Sequence, residues 1–243
     1  MVDSFELRSR YLFNAPPHSD LWNQLHEPNA CMPMFTASNI ANVFGFGFQT
    51  RKAYFESFRK PKQVANKFLQ TMLDYGNENE ENAWRQFLSE SRYELYQNKM
   101  GIYSGGPDTP WMLATPDAIG FNGAAWHLVE LKCPFSRKIP LDLDEVPLKY
   151  VLQLQIQMHC FRFVDMNRVF WGKLYFWSES STSCFTVTYS GELMDAVVAE
   201  LKVFREDVLT GSLKDLSPAK SLRLAAVIAK VEQKLKASVQ KDE

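Results

Sequence analysis

Residues 111–137 read WMLATPDAIGFNGAAWHLVELKCPFSR, and this stretch decides the fold. Two runs of β-prone residues flank Asn122-Gly123, a dipeptide whose positions both tolerate φ > 0 and so suit a hairpin turn. Strand side chains alternate between faces with period two, which sets Glu130 and Lys132 on one face and Leu131 on the other. Leu128 and Val129 carry the second arm into an apolar interior, while Asp117 opens the first arm. Two carboxylates and an ammonium therefore meet at one strand end. Burying such a group is unfavourable unless a cation or a partner balances it, so the stretch has the makings of a metal site.

Outside this hairpin, composition narrows the field. A chain of 243 residues can bury a substantial core as one large domain. Hydrophobic residues make up 46% and charged residues 23%, which excludes disordered and fibrous classes. No apolar run approaches about 20 residues, and MVDSFELRSR lacks the core of a signal peptide, so neither a membrane span nor secretion is expected. The cysteines Cys31, Cys133, Cys160 and Cys184 are widely spaced with no CxxC pair, which favours reduced thiols in an intracellular compartment. A net charge of −1 exerts no global pull on polyanions, leaving nucleic-acid contact to local basic patches. One patch runs from Arg51 through Lys52, Arg59, Lys60 and Lys62 to Lys67, with Glu56 alone against it. By itself this reads as a solvated helical surface; beside a metal site of the kind read in the hairpin it becomes a phosphate-facing flank.

The expected organisation is one α/β domain over 1–243, a central mixed β-sheet flanked by helices. Residues 1–34, broken by Pro16, Pro17, Pro28 and Pro33, form an irregular arm; 35–190 form the core; 191–243 form C-terminal helices. Within the core, Thr36 or Ser38 caps a helix over Ser38–Phe44 ended by Gly45 and Gly47, and Thr50 caps another over Arg51–Arg59. A third helix opens at Pro61, and a long helical stretch runs over Gln63–Ser91, where Glu80, Ala83, Trp84 and Phe87 recur at helical spacing. A strand at Arg92–Tyr96 and a glycine-rich loop at Gly101–Pro110 precede the hairpin, giving a three-strand meander. After it, Tyr150, Gln153 and Gln157 share one face of a helix, followed by strands at Val169–Trp177 and Phe185–Tyr189. Helices over Glu192–Leu209 and from Pro218 to about Lys236 end the chain, the last with a stripe of Leu222, Ala225, Ile228, Val231 and Leu235. His127 and His159 read as packed or exposed histidines, and Trp171, Phe176 and Trp177 as core.

Thr115-Pro116-Asp117, followed after twelve intervening residues by Glu130-x-Lys132, resembles the PD-(D/E)xK nuclease signature. The longer run Val129-Glu-Leu-Lys-Cys-Pro-Phe135 resembles, more narrowly, the lambda-exonuclease/YqaJ-type viral recombinase, or alkaline exonuclease, family. Three further matches fall in order: Phe35-Thr-Ala-Ser38, Gly76-x-x-x-Glu80-x-x-Ala83, and Tyr150-x-x-Gln153-x-Gln155. Together they span residues 35–160.

The resemblance implies a restriction-endonuclease-like core and a Mg²⁺-dependent activity, with Mn²⁺ substituting. It implies a 5′→3′ exonuclease on double-stranded DNA ends that leaves 3′ tails for recombination in a phage or large DNA virus, inside the host cytoplasm or nucleus. A structure-specific DNA or RNA endonuclease of the same fold, or a non-catalytic DNA-end-binding module, are the alternatives. By the same resemblance Asp117 and Glu130 are metal ligands together with the Leu131 carbonyl, and Glu80 reaches a second ion. Lys132 orients the attacking water, and Gln153 holds the water or metal shell with Tyr150 behind it. Ser38, Thr115 and Arg137 occupy phosphate-binding positions. Asn29–Met34 lacks the arginine that relatives carry for a terminal 5′-phosphate, and Arg51 is its expected replacement. The implied partner is a single-strand annealing protein, with no membrane involved; some relatives form a ring-like trimer and others act as monomers, so the resemblance leaves a homotrimer and a monomer both open, with the C-terminal stripe as the candidate subunit contact.

Overall fold

Strand β7 (Trp126–Lys132) organises the interior, and the rest of the chain is placed by what each of its faces touches. The computed structural model describes residues 12–15, 19–27, 29–60, 67–97, 101–163, 169–213 and 218–242. Before β7 come β1 (Leu12–Asn14), α1 (Asp20–His26), β2 (Phe35–Thr36), α2 (Ala37–Ile40), α3 (Arg51–Ser57), α4 (Lys67–Glu90), β3 (Glu94–Gln97), β4 (Gly101–Ser104), β5 (Met112–Ala114) and β6 (Ala118–Phe121). After it come α5 (Leu148–Phe161), β8 (Val169–Ser178), β9 (Ser181–Thr188), α6 (Gly191–Thr210), α7 (Pro218–Ala237) and β10 (Val239–Lys241).

The larger sheet has the order β10-β9-β8-β7-β6-β3 and is mixed. The β7–β8 pair is parallel, with Glu130 opposite Leu174, and the other neighbours are antiparallel. A parallel pair needs a crossover, and α5 supplies it. Alternation along β7 then divides the residues. Val129 and Leu131 join Ala118 and Tyr175 against Ala83 and Phe87 of α4. Leu128 faces the opposite way, into the main core that includes Leu152, Leu154 and Ile156 of α5. Every residue from Val151 to Met158 on α5 is buried, because α5 touches both sheets and the helices around it. A helix enclosed on all sides has little need of a polar face.

Several expectations are revised. The turn is a four-residue loop, Asn122–Ala125, since Phe121 pairs with Trp126. Only Gly123 has positive φ (87°), and the Asn122 Oδ1 accepts the Ala124 and Ala125 N–H groups at 3.0 and 2.7 Å. An asparagine turn of this kind replaces the two-residue hairpin. Strands β3, β6 and β7 do lie side by side, but the chain between β3 and β6 is no plain loop: β4 and β5 form a second sheet, β1-β4-β5-β2. Part of the N-terminal arm is ordered into β1, which pairs with β4, and α1, which is capped by the Ser19 hydroxyl. Thr50 caps α3 by accepting from Ala53 N–H at 3.2 Å. Thr36 sits at the N-cap of α2 without capping it; its Oγ1 accepts from Asn39 Nδ2 at 2.9 Å and meets Ser38 Oγ at 3.3 Å. The helix expected from Pro61, and Lys62 with it, lies outside the described residues. On α7, Val231 and Leu235 pack into the chain's own core, Ile228 is half-buried, and Leu222 and Ala225 are exposed.

Candidate active site

Strand β6 stops at Ala118, which pairs with Val129, so Glu130, Leu131 and Lys132 run past its end. Asp117 fills that gap. Its N–H donates to the Val129 carbonyl at 3.1 Å, and its Oδ2 accepts the Leu131 N–H at 2.6 Å. The N–H and C=O of one strand residue point the same way, so the Leu131 carbonyl faces the same open edge. Three oxygen donors thus converge by strand geometry: the carboxylates of Asp117 and Glu130 and one main-chain carbonyl.

Glu130, only 3% exposed, is gripped from α5. Its Oε1 accepts from Gln153 Nε2 at 2.5 Å and from the Lys132 ammonium, while its Oε2 accepts from Gln157 Nε2 at 2.6 Å. The same Gln157 nitrogen reaches the Thr115 carbonyl at 3.2 Å, tying the segment before Asp117 to Glu130. Donors on both oxygens offset the cost of burying the carboxylate. Gln157 is a site residue that the sequence left unassigned. Its signal was present, because positions 153 and 157 fall on one helical face. Gln155, part of the quoted motif, points away, donating to the Thr188 carbonyl at 2.6 Å and accepting the Ser190 N–H at 3.1 Å.

The electrostatics are unbalanced. Burial, then Glu130 and Glu80, push the Asp117 carboxyl well above the usual carboxylate range, against the pull of Lys132 and the Leu131 N–H. Burial works against a charged Lys132, yet Glu130 and Asp117 outweigh it and hold its pKa above the ordinary lysine value. Burial, with Glu80 and Asp117, raises the Cys133 thiol to about 12, so this cysteine is unreactive. Tyr150 backs the site, its ring 5.0 Å from the Lys132 Nζ.

The remaining expected residues are placed less uniformly. Glu80 is exposed on α4 and acts on Asp117 through space. Among the described residues, no three His, Cys, Asp or Glu side chains gather closely enough to hold an ion by themselves. Glu80 thus borders the pair from α4, close enough to raise the Asp117 and Cys133 pKa values. The donor set of two carboxylates and a carbonyl still fits a hard cation that keeps most of its water. Arg51 is corrected. Its guanidinium donates to Glu200 Oε1 at 2.9 Å and the Val43 carbonyl at 3.0 Å and lies 4.7 Å from the Phe204 ring, a structural commitment that replaces a phosphate role. Arg59, though exposed, donates to the Val208 carbonyl, and Lys60 pairs with Glu56 at 2.6 Å. Ser38 is exposed at the start of α2, and the Thr115 hydroxyl is buried without a partner. Arg137 has φ 55°, stands 5.3 Å from the Tyr75 ring, and pairs loosely with Glu179 at 3.8 Å. The left-handed backbone aims an exposed guanidinium over the helix that carries Glu80. His127 is packed, stacked on Trp171 with centroids 4.1 Å apart, and burial holds its pKa down at about 4. A Cβ on Gly120 would sit 2.1 Å from that ring, so only glycine fits opposite it.

A mixed sheet flanked by helices, with an Asp…Glu-x-Lys set at the ends of two adjacent strands, defines a PD-(D/E)xK nuclease core as the class of fold. The chain belongs to the YqaJ-like viral recombinase domain family, which it matches over residues 21–163. Among solved structures it is similar to LHK-Exo, determined in complex with dAMP, with a TM-score of 0.53 and 20% identity over 86% of this chain and 96% of that one. No curated protein matches it. Family membership, with the fold of an exonuclease, supports a nuclease. Among the described residues, no helix is long and apolar enough to cross a membrane.

Proposed function

We propose that this chain is a Mg²⁺-dependent 5′→3′ exonuclease acting on double-stranded DNA ends, leaving 3′ tails for an annealing protein to use in recombination. The observation that carries this reading is the Asp117–Glu130–Lys132 set beyond the end of β6, with Glu130 held on both oxygens from α5. Asp117, Glu130 and the Leu131 carbonyl would hold Mg²⁺, or Mn²⁺ in its place. A bound divalent cation eases deprotonation of water and neutralises charge on the scissile phosphate. The Lys132 ammonium, kept charged by its two carboxylates, orients the incoming water and offsets the charge that grows on the phosphate oxygens. Gln153 and Gln157 stop Glu130 from swinging, and fixed geometry of this kind lowers the barrier by removing reorganisation. Arg137, exposed over α4, and the exposed Ser38 at the start of α2 are the phosphate contacts.

The test is digestion of end-labelled linear duplex and closed circular duplex with Mg²⁺, against a chelator control. Mononucleotides released from 5′ ends, with the circle intact, are expected. A cut circle means a structure-specific endonuclease. No cleavage with either Mg²⁺ or Mn²⁺ leaves an end-binding module and ends the proposal.

A further inference from the structure

Phe48 is 82% exposed, the highest value among the large hydrophobic side chains described. It is not a loose end. Gly45 turns the chain at φ 78°, and a Cβ on Gly47 would lie 2.0 Å from the Asn42 side chain, so the loop passes tight against that residue. The buried Asn42 Oδ1 accepts the Gln49 N–H at 2.9 Å, fixing the chain just after Phe48, and Phe46 stacks on Phe44 just before it. The fold thus holds one aromatic ring out into water.

What stands beside the ring is cationic. The Lys149 Nζ lies 3.4 Å from the Phe48 centroid and 4.7 Å from that of Tyr150, and the Lys132 Nζ lies 5.0 Å from the same Tyr150 ring. An unbroken relay of ring, ammonium, ring and ammonium runs from the exposed Phe48 to the lysine of the carboxylate site. Burial and the neighbouring Lys132 charge hold Lys149 down at about 8, a strain that an anion would relieve. Lys149 also lies in the first turn of α5, whose Pro147 N-cap gives no side-chain acceptor to the helix amides. A planar apolar face with a phosphate-sized cation site on its flank matches one ligand chemistry. A protein partner would need a wider apolar patch than a single ring.

We propose that Phe48 and Lys149 form a nucleotide subsite, in which a nucleobase stacks on the outer face of Phe48 and its phosphate is taken by the Lys149 ammonium. Stacking on a ring accepts every base, as an enzyme that consumes arbitrary sequence requires. The assignment rests on the nuclease reading only for which nucleotide occupies the subsite, that adjoining the scissile bond.

The test uses 5′-phosphorylated duplex carrying 2-aminopurine at each of the first few positions, bound to the full chain with Ca²⁺ and followed by fluorescence, alongside steady-state cleavage with Mg²⁺. Wild type should quench the probe at one or two positions near the end. Phe48→Ala should lose that quench and raise KM about tenfold with kcat nearly unchanged, and Phe48→Trp should restore both. Lys149→Gln should weaken binding and lower the slope of log K against log salt by about one, the change expected when one phosphate is no longer neutralised. Thermal melting of Phe48→Ala should match wild type, because the ring is solvated. Wild-type KM and quench in Phe48→Ala, or a lowered melting temperature that explains its defect, overturns the subsite while leaving cleavage by the wild type standing. Phe48-dependent quenching in a wild type that cleaves nothing overturns the nuclease reading and keeps the subsite.

Discussion

Two glutamates are buried among the described residues, and their surroundings differ in sign. Glu200 of α6, 1% exposed, meets Arg51 and Arg223 at 2.9 Å each and so joins α6 to α3 and α7. Two guanidiniums answer one carboxylate. Glu130 has one ammonium, two uncharged amides and a second carboxylate, Asp117, against it. Burial of an acid therefore does not mark function by itself. The shortage of positive charge around Glu130 is the difference, because two carboxylates there face one ammonium and favour taking up a proton or a cation, whereas each Glu200 oxygen meets a guanidinium.

The largest expected effect breaks the deficient side. Asp117→Asn should lower cleavage by about three orders of magnitude or more, since cation and water lose their holder. It should also raise the melting temperature of the ion-free protein at neutral pH, by removing a charge that Glu130 and Glu80 oppose. The sign follows from the direction of the shift: a carboxyl whose folded pKa lies above its unfolded one favours folding at acid pH, and that contribution is lost as pH rises through the folded value. Melting curves with chelator across pH, for both proteins, measure it. A variant that melts below wild type at neutral pH sinks the charge-deficit account.

Glu200→Ala tests the balanced side. It removes the carboxylate that Arg51 and Arg223 meet and should cost about 3–5 kcal/mol in urea unfolding, with cleavage per folded molecule unchanged. A fall in kcat for fully folded variant would erase the contrast between the two glutamates. Gln157→Leu probes the grip itself. Divalent-cation affinity should drop about 10–100-fold, as for other groups that hold a ligand in place, with only a modest change in stability. Titration calorimetry with Mn²⁺ decides; unchanged affinity reduces Gln157 to packing. The smallest effect is at His127→Phe. Because burial lowers this pKa from 6.5 to about 4, the unfolded chain takes up the proton first, and wild-type stability is lost as pH falls from about 6.5 towards 4. The phenylalanine variant, still stacked on Trp171, should flatten that limb in acid melts.

Local periodicity was sufficient for the parts of the site that depend on one element. Alternation along β7 put Glu130 and Lys132 on one face, and the helical repeat put Gln153 and Gln157 on another, both before any partner was known. Periodicity fails where burial is complete. Gly101–Ser104 is buried at every position, so it shows no alternation and reads as a glycine-rich loop although it is β4. It fails again where a residue has to choose among partners. Arg51 looks like a phosphate ligand in a basic run, but Glu200 takes it from 149 positions away. Glu80 has the spacing of an inward residue, yet α4 buries Ala83 and Phe87, one turn and more further on, while Glu80 stays exposed at the rim of the carboxylate pair. The sequence by itself determined the strand pair, the carboxylate–lysine spacing and the glutamine face, because each follows from backbone geometry within a single element. The tertiary structure alone decided which charges are cancelled and which are not, because cancellation depends on the distance between segments that the chain brings together only when it folds.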